Sequence, residues 1–269
     1  MEALKAVFLG IIEGLTEFLP ISSTGHLILA CPLMGVDPDE AFWVSFIYFI
    51  QIGAILAVVV YFWRRLWGLT FHPPLQPKRE HIAVKLCVAF VPAAVLGLLL
   101  NDWLEEMLEG PVPVAIALIV GAGLIELIER RFDHPTTTRA EDITFRQALL
   151  IGCAQCLAMI PGTSRSGATI MGGLVVGLSA PLAAEFSFFL AIPTICAAGG
   201  YSLLKHSDAL TREHALSLAI GFVVSFVVAW VVIAGFMRYI QTHKFRVFSV
   251  YRVILGAAVL GWYYWPRGS

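Results

Sequence analysis

Charge is scarce in this chain. Of its 269 residues, 18 are Lys or Arg and 19 Asp or Glu, 14% together, against 58% hydrophobic. A soluble domain carries about 25% charged residues, and the mean hydropathy here is +0.81, so the chain reads as an integral membrane protein. A basic surface is missing as well. The net charge is −1, and no Lys/Arg run interleaved with aromatics offers a track for a phosphodiester backbone, which excludes nucleic acid as an expected partner. Cysteine pairing is also absent from the pattern: the five cysteines are odd in number and lie mostly in apolar segments, where a thiol packs as a small hydrophobe. Cys153 and Cys156 form a CxxC, but no second CxxC or His pair completes a zinc site. The first residues lack a basic n-region and a small-residue cleavage site, and Glu13 and Glu17 interrupt their apolar run, so no signal peptide is expected there.

Long apolar runs are what the chain does have. A helix needs about 20 apolar residues to cross about 30 Å of hydrocarbon, and six segments qualify: 43 to 63, 82 to 100, 111 to 128, 181 to 204, 215 to 237 and 248 to 265. Aromatic residues mark several ends, Tyr61, Trp63 and Trp67 at one and Trp262 to Trp265 at another, as rings at the headgroup level do. Two further apolar regions, 3 to 34 and 146 to 178, are each split by a polar knot, PISSTGH in the first and PGTSRSG in the second. The half-helices on either side are too short to cross, and unwound backbone at membrane depth is tolerated only where protein or water satisfies it. Both regions are therefore expected to be re-entrant helical hairpins lining a cavity.

The two regions resemble each other. Pro20-Ile21-Ser22-Ser23 aligns with Pro161-Gly162-Thr163-Ser164 at an offset of 141, and FIQIGAI (49 to 55) with FLAIPTI (189 to 195) at 140. One hairpin plus three spans crosses an odd number of times, so the second copy has to be inverted. The expected fold is all-α: a single membrane domain over 1–269, six transmembrane helices plus two re-entrant helical hairpins arranged as an inverted-topology repeat, repeat 1 over about 1–130 and repeat 2 over about 144–267. Twelve of the eighteen Lys/Arg, Arg64, Arg65, Arg130, Arg131, Arg139, Arg146 and Arg238 among them, follow spans one, three and five. The positive-inside rule then puts these loops in the cytoplasm, with both termini and the mouth of the first hairpin outside.

The polar knots carry the chemistry. Glu13 and Glu17 stand i, i+4 on one helix face, about 5 to 6 Å apart, and form a two-carboxylate half-site for a hard divalent cation such as Mg²⁺ or Ca²⁺, completed by water and phosphate oxygens. PGTSRSG precedes a helix, so its small residues present amides at a positive dipole end. Arg165 adds a planar fork that matches phosphate, surrounded by Thr163, Ser164, Ser166 and Gly167. The competing reading of Arg165 is an ion pair with Glu13 or Glu17. His26, three residues after Ser23, is the candidate general acid or base. Ser22 and Thr24 read first as helix caps, Thr24 also as a phosphate contact. Gln51 and Gln155 are mid-span amides, and Glu185 either joins the site or pairs locally.

Carboxylates, a histidine and an arginine-bearing anion cradle in a lipid-embedded scaffold point to phosphoryl chemistry on a lipid. EGLTEFLPISSTGH followed by PGTSRSGATI resembles the undecaprenyl pyrophosphate phosphatase (UppP/BacA) family, and the likeness extends to FIQIGAILAVVVYFWRR and AEFSFFLAIP. The resemblance implies hydrolysis of undecaprenyl diphosphate to the monophosphate and inorganic phosphate at the outer face of the bacterial cytoplasmic membrane, recycling the carrier of peptidoglycan synthesis, with divalent-metal dependence and bacitracin resistance. It carries the acidic motif onto Glu13 and Glu17, the hydroxyl and histidine onto Ser23 and His26, and the second motif onto Ser164 and Arg165. The type 2 phosphatidic acid phosphatases fit less well: their second His should lie six residues after Arg165, where Met171 stands. A lipid flippase or transporter on the same inverted repeat is the alternative of another class. Whether Ser23 or water attacks, and whether two copies form a homodimer, is open at this level.

Overall fold

The computed structural model of the protein describes residues 1–38, 40–71, 81–108, 110–205 and 211–264, with the backbone alone for 101–108. Parts of the expected loop from 64 to 81, and the end of repeat 2 at 267, fall outside these residues. Eleven α-helices follow one another among the described residues: α1 Glu2–Thr16, α2 Ser23–Leu33, α3 Ala41–Tyr61, α4 Trp63–Phe71, α5 Ile82–Leu108, α6 Pro111–Arg131, α7 Phe145–Gln155, α8 Arg165–Val175, α9 Ala180–Lys205, α10 Ala215–Tyr239 and α11 Arg246–Tyr264. No β-strand occurs among the described residues.

Among the described residues six helical segments are long and apolar enough to cross a membrane: Ala41–Tyr61, Ile82–Leu100, Pro111–Arg131, Ala180–Lys205, Arg212–Tyr239 and Arg246–Tyr264. They coincide with the six runs read from the sequence, and the chain is a multi-pass membrane protein. Local chemistry sets their ends. Pro111 opens α6, where its missing N–H costs nothing, and Arg130 and Arg131 close it at the negative dipole end. A Thr144/Gln147 capping box starts α7. One boundary differs from expectation: α3 stops at Tyr61, and the basic segment after it begins as helix α4. Trp63, Trp67 and Phe71 recur every fourth residue and meet ring to ring, tilted, along it, a periodicity that the reading as a loop passed over.

The short helices pack inside the frame of long ones. α1 lies against α10 and α3, α7 against α5 and α8, α9 against α3 and α8, and α6 against α11. α9 runs through the main core, where Phe186, Phe188 and Phe189 are fully buried beside Phe18, Phe62 and Phe236. Gly10 and Gly14, one turn apart, bring α1 onto the α10 backbone: a Cβ on Gly14 would stand 2.8 Å from the Ser225 carbonyl oxygen. Such small-residue contacts replace the hydrophobic effect between helices in lipid. This contact seats Glu13 in the interior, with none of its surface exposed.

Candidate active site

The two polar knots are built alike. Ser22 and Ser164 both adopt positive φ, 70° and 74°, a conformation costing about 1–3 kcal/mol for a residue with a side chain. Each is held there as a helix cap: the Ser22 Oγ accepts from the Gly25 amide at 3.3 Å, the Ser164 Oγ from the Gly167 amide at 3.1 Å. Each launches an 11-residue helix, α2 and α8, which ends at a positive-φ glycine, Gly35 or Gly177. These features match at an offset of 142, one more than the 141 obtained by pairing the prolines. Backbone geometry thus sets Ser23 against Arg165, and Glu13 against Gln155, where the sequence comparison set Ser23 against Ser164.

A residue not singled out in the sequence ties the knots together. Arg252, on α11, is 1% exposed and gives its guanidinium to five carbonyls: Pro20 at 3.3 Å, Thr163 at 2.9 Å, Gly162 at 3.1 Å, Ala117 at 3.0 Å and Leu118 at 3.1 Å. Unwound turns expose carbonyls that lipid cannot satisfy, and one planar cation satisfies several at once. Gly121 makes room for it, since a Cβ there would overlap Nη2, and Gly162, at φ 91°, lies so close to α6 that a Cβ would meet the Val114 carbonyl. Ser166 adds a second tie, donating to the Leu19 carbonyl at 2.8 Å. Ser166 and Gly167, expected to contact phosphate, have protein partners in this structure: the Leu19 carbonyl accepts from the Ser166 hydroxyl and the Ser164 Oγ from the Gly167 amide.

Glu17 is the hub of the site. Its Oε2 accepts from the Ser23 hydroxyl at 2.9 Å and its Oε1 from Arg165 Nη2 at 3.2 Å. Both side chains of the ion pair are largely buried, 11% and 9% exposed. Since Ser23 opens α2 and Arg165 opens α8, two helix N-termini converge on one carboxylate, each with leading amides that have no intrahelical acceptor. Arg165 is oriented from behind: Nη1 donates to the Ser187 carbonyl at 2.9 Å, and the Ser187 hydroxyl lies 2.6 Å from that of Thr169. Arg165 Nε has no partner among the described residues. The ion-pair reading of Arg165 therefore holds in this structure.

Glu13 lies one turn before Glu17, fully buried, and neither of its oxygens meets a donor among the described residues. The charged groups it feels are Glu17 and Arg165. A buried carboxylate without donors is costly unless something neutralises it. The site thus fits a cation on the Glu13/Glu17 side, although the described residues hold no group of three His, Cys, Asp or Glu for a metal. Most of the coordination shell would come from water and ligand oxygens.

His26 turns away from this hub. Its Nδ1 lies 2.7 Å from the Ser22 carbonyl and its Nε2 2.7 Å from the Tyr251 hydroxyl. Beside α2 opens a mostly apolar cavity of about 590 Å³ with Ser23, Thr24 and Gln51 among its lining, and Leu27, Ile47 and Trp262 on its walls. Glu185 does not join the site; it pairs with Arg65 at 3.1 Å. Gln155 bonds between helices, accepting from Thr194 at 3.3 Å. Arg252, Tyr251 and Ser187 escaped the sequence analysis because each sits in an apolar span far from the knots. The one available signal was Arg252 itself, a charge within a segment expected to cross the membrane.

The chain is similar to known proteins over most of its length. The family model described as "Bacitracin resistance protein BacA" matches residues 6–258. Among similar proteins, "Undecaprenyl-diphosphatase 3" of Acinetobacter baylyi is 47% identical over 262 residues, covering 97% of each chain. "Undecaprenyl-diphosphatase" of Azotobacter vinelandii is 48% identical over 260 residues, covering 96% of this chain and 93% of its own. That of Pseudomonas fluorescens is 45% identical over 272 residues, covering 99% and 98%.

Proposed function

Because this chain belongs to the bacitracin resistance protein BacA family, we infer that it is a membrane-embedded phosphatase hydrolysing undecaprenyl diphosphate to undecaprenyl phosphate and inorganic phosphate. The relatives' names are those of phosphatases, which favours hydrolysis over a flippase or transporter role. The observation that carries the reading is the Glu17 hub, where a hydroxyl, a carboxylate and a guanidinium meet at two helix N-termini. Purified protein in lipid should release phosphate from undecaprenyl diphosphate, and Glu17→Gln protein should do so at least about 10² more slowly. Wild type that binds this lipid but releases none would sink the reading.

The proposed chemistry follows from the contacts. Ser23 already donates to Glu17, so Glu17 is the base placed to take its proton as Oγ attacks the terminal phosphorus. The bond from that phosphorus to the bridging oxygen breaks, undecaprenyl phosphate leaves with the electron pair, and a phosphoserine remains. Glu17 passes the Ser23 proton to the departing undecaprenyl phosphate; water then attacks the phosphoserine, giving a proton to Glu17, which hands it to Ser23 Oγ as the P–Oγ bond breaks and inorganic phosphate is released. Should water attack directly, Glu17 is again the acceptor and Ser23 orients it. Arg165 and the helix N-termini stabilise charge on the equatorial oxygens. The acid or base role expected of His26 in this first step passes to Glu17, because His26 faces Tyr251.

We place a divalent cation, Mg²⁺ or Ca²⁺, on Glu13 and Glu17, where it would neutralise the diphosphate and the buried carboxylate pair. The support is the donor-free burial of Glu13. The polyprenyl chain would lie in the apolar cavity beside Ser23.

The inverted-topology repeat, over about 1–130 and about 144–267, is likewise our reading. The matched knots support it, and so does the packing: α1 meets α10 as α7 meets α5, while α3 pairs with α9 and α6 with α11. Exchanging the two halves leaves this set unchanged. The helices beside the knots, 15, 11, 11 and 11 residues long, reach only about 17 to 23 Å at 1.5 Å per residue, which suits re-entrant hairpins. With Lys and Arg concentrated after spans one, three and five, we orient the site towards the outer face of the cytoplasmic membrane.

A further inference from the structure

α11 delivers two neighbouring residues to the site. Arg252 grips the two knots, as described above, and fixes the rotation of the helix. One residue earlier, Tyr251 points to α2, its ring nearly parallel to that of His26, 11° between planes and 5.6 Å between centroids. Its hydroxyl lies 2.7 Å from His26 Nε2, while His26 Nδ1 lies 2.7 Å from the Ser22 carbonyl. A carbonyl oxygen only accepts, so Nδ1 carries a proton. In the neutral ring Nε2 is then the acceptor and Tyr251 the donor. The one lone pair with which His26 acts as a base is thus covered by a phenol, and that phenol is on a side chain 40% exposed.

We propose that Tyr251 is a positioning residue of the phosphatase: its hydroxyl holds His26 in the Nδ1-protonated tautomer and covers Nε2 until substrate oxygen draws the hydroxyl away. The proposal rests on the phosphatase reading above. For His26 to take a proton at Nε2, from a phosphate hydroxyl, the Tyr251 O–H must first turn to another acceptor. A diphosphate oxygen beside α2 is such an acceptor. The exposed position of Tyr251 allows that turn without moving α11. Both ends of the His26 ring are then set by groups tied to the knots: Ser22 by its cap, and Tyr251 by its neighbour Arg252.

The test is a double-mutant cycle between Tyr251→Phe and His26→Ala on full-length protein in lipid, measuring phosphate release from undecaprenyl diphosphate. Phe keeps the ring contact and removes only the hydroxyl. We expect Tyr251→Phe to lower kcat about tenfold, the worth of one well-made hydrogen bond, with KM little changed. In the His26→Ala background the same substitution should cost nothing further. The ¹⁵N spectrum of His26 in the wild type should show a protonated Nδ1, and the Nε2 resonance should move in Tyr251→Phe. Overturning results are full activity in Tyr251→Phe, losses that multiply in the double variant, or a wild-type His26 with Nε2 protonated and Nδ1 bare. Full activity in His26→Ala would also end the proposal. Each of these leaves the phosphatase reading standing, which fails only if wild type releases no phosphate.

Discussion

Arg165 Nη2 donates to Glu17 Oε1 at 3.2 Å, across 148 residues of sequence. This contact brings the second polar knot to the first, and it makes one carboxylate answer to both a hydroxyl and a guanidinium.

Arg165 should not tolerate a conservative exchange. Lys keeps the charge but cannot hold Glu17 and the Ser187 carbonyl in one plane. Arg165→Lys is expected to lose at least about tenfold in kcat/KM. Unaltered steady-state kinetics would show that charge alone matters there.

Glu17 and Ser23 divide the attack. Removing the acceptor in Glu17→Gln should cost about 10² or more in kcat. If Ser23 attacks, rapid quench with substrate labelled at the terminal phosphorus should trap covalent label that chases at the rate of turnover. Inversion at a chiral phosphorus centre would instead assign the attack to water.

Glu13 tests the cation. Glu13→Gln should weaken cation binding, read by titration of the protein with Mg²⁺ or Ca²⁺ in the presence of a non-hydrolysable diphosphate lipid. Chelation should abolish turnover in the wild type. Activity that persists undiminished in EDTA would remove the cation from the mechanism.

Arg252 is expected to matter through structure. Arg252→Leu leaves carbonyls of both knots without donors in the interior, at about 1–3 kcal/mol for each one not rescued. The variant should unfold at markedly lower temperature in detergent. Arg252→Lys, with its three donors, should fall between it and the wild type. A Leu variant as stable as the wild type would mean that the knots hold without this tie.

Orientation is open to labelling. In a cysteine-free variant, an impermeant reagent outside intact cells should modify a cysteine placed at Glu40 and spare one placed at Asp133. The opposite pattern would invert the topology.

The six spans were legible in the sequence because lipid leaves a helix little choice: about 20 apolar residues in a row with satisfied backbone have to cross. The knots were legible for the same reason in reverse, since Glu13, Glu17, Ser23, His26 and Arg165 are polar groups where the flanking residues are fit for lipid. Residue type gave the chemistry, carboxylate for cation and guanidinium for phosphate. Pairing was a matter of tertiary structure. Sequence spacing placed His26 beside Ser23, yet helix α2 turns its ring to Tyr251, 225 residues away, and leaves Ser23 to Glu17. Ser166 and Gly167 were expected beside phosphate, and the fold gives them the Leu19 carbonyl and the Ser164 cap as protein partners. Glu185 drew its partner, Arg65, from another helix, and Arg252 drew five carbonyls from three separate segments. A side chain's identity fixes which bonds it is able to make, and the approach of distant backbone decides which of them it does make.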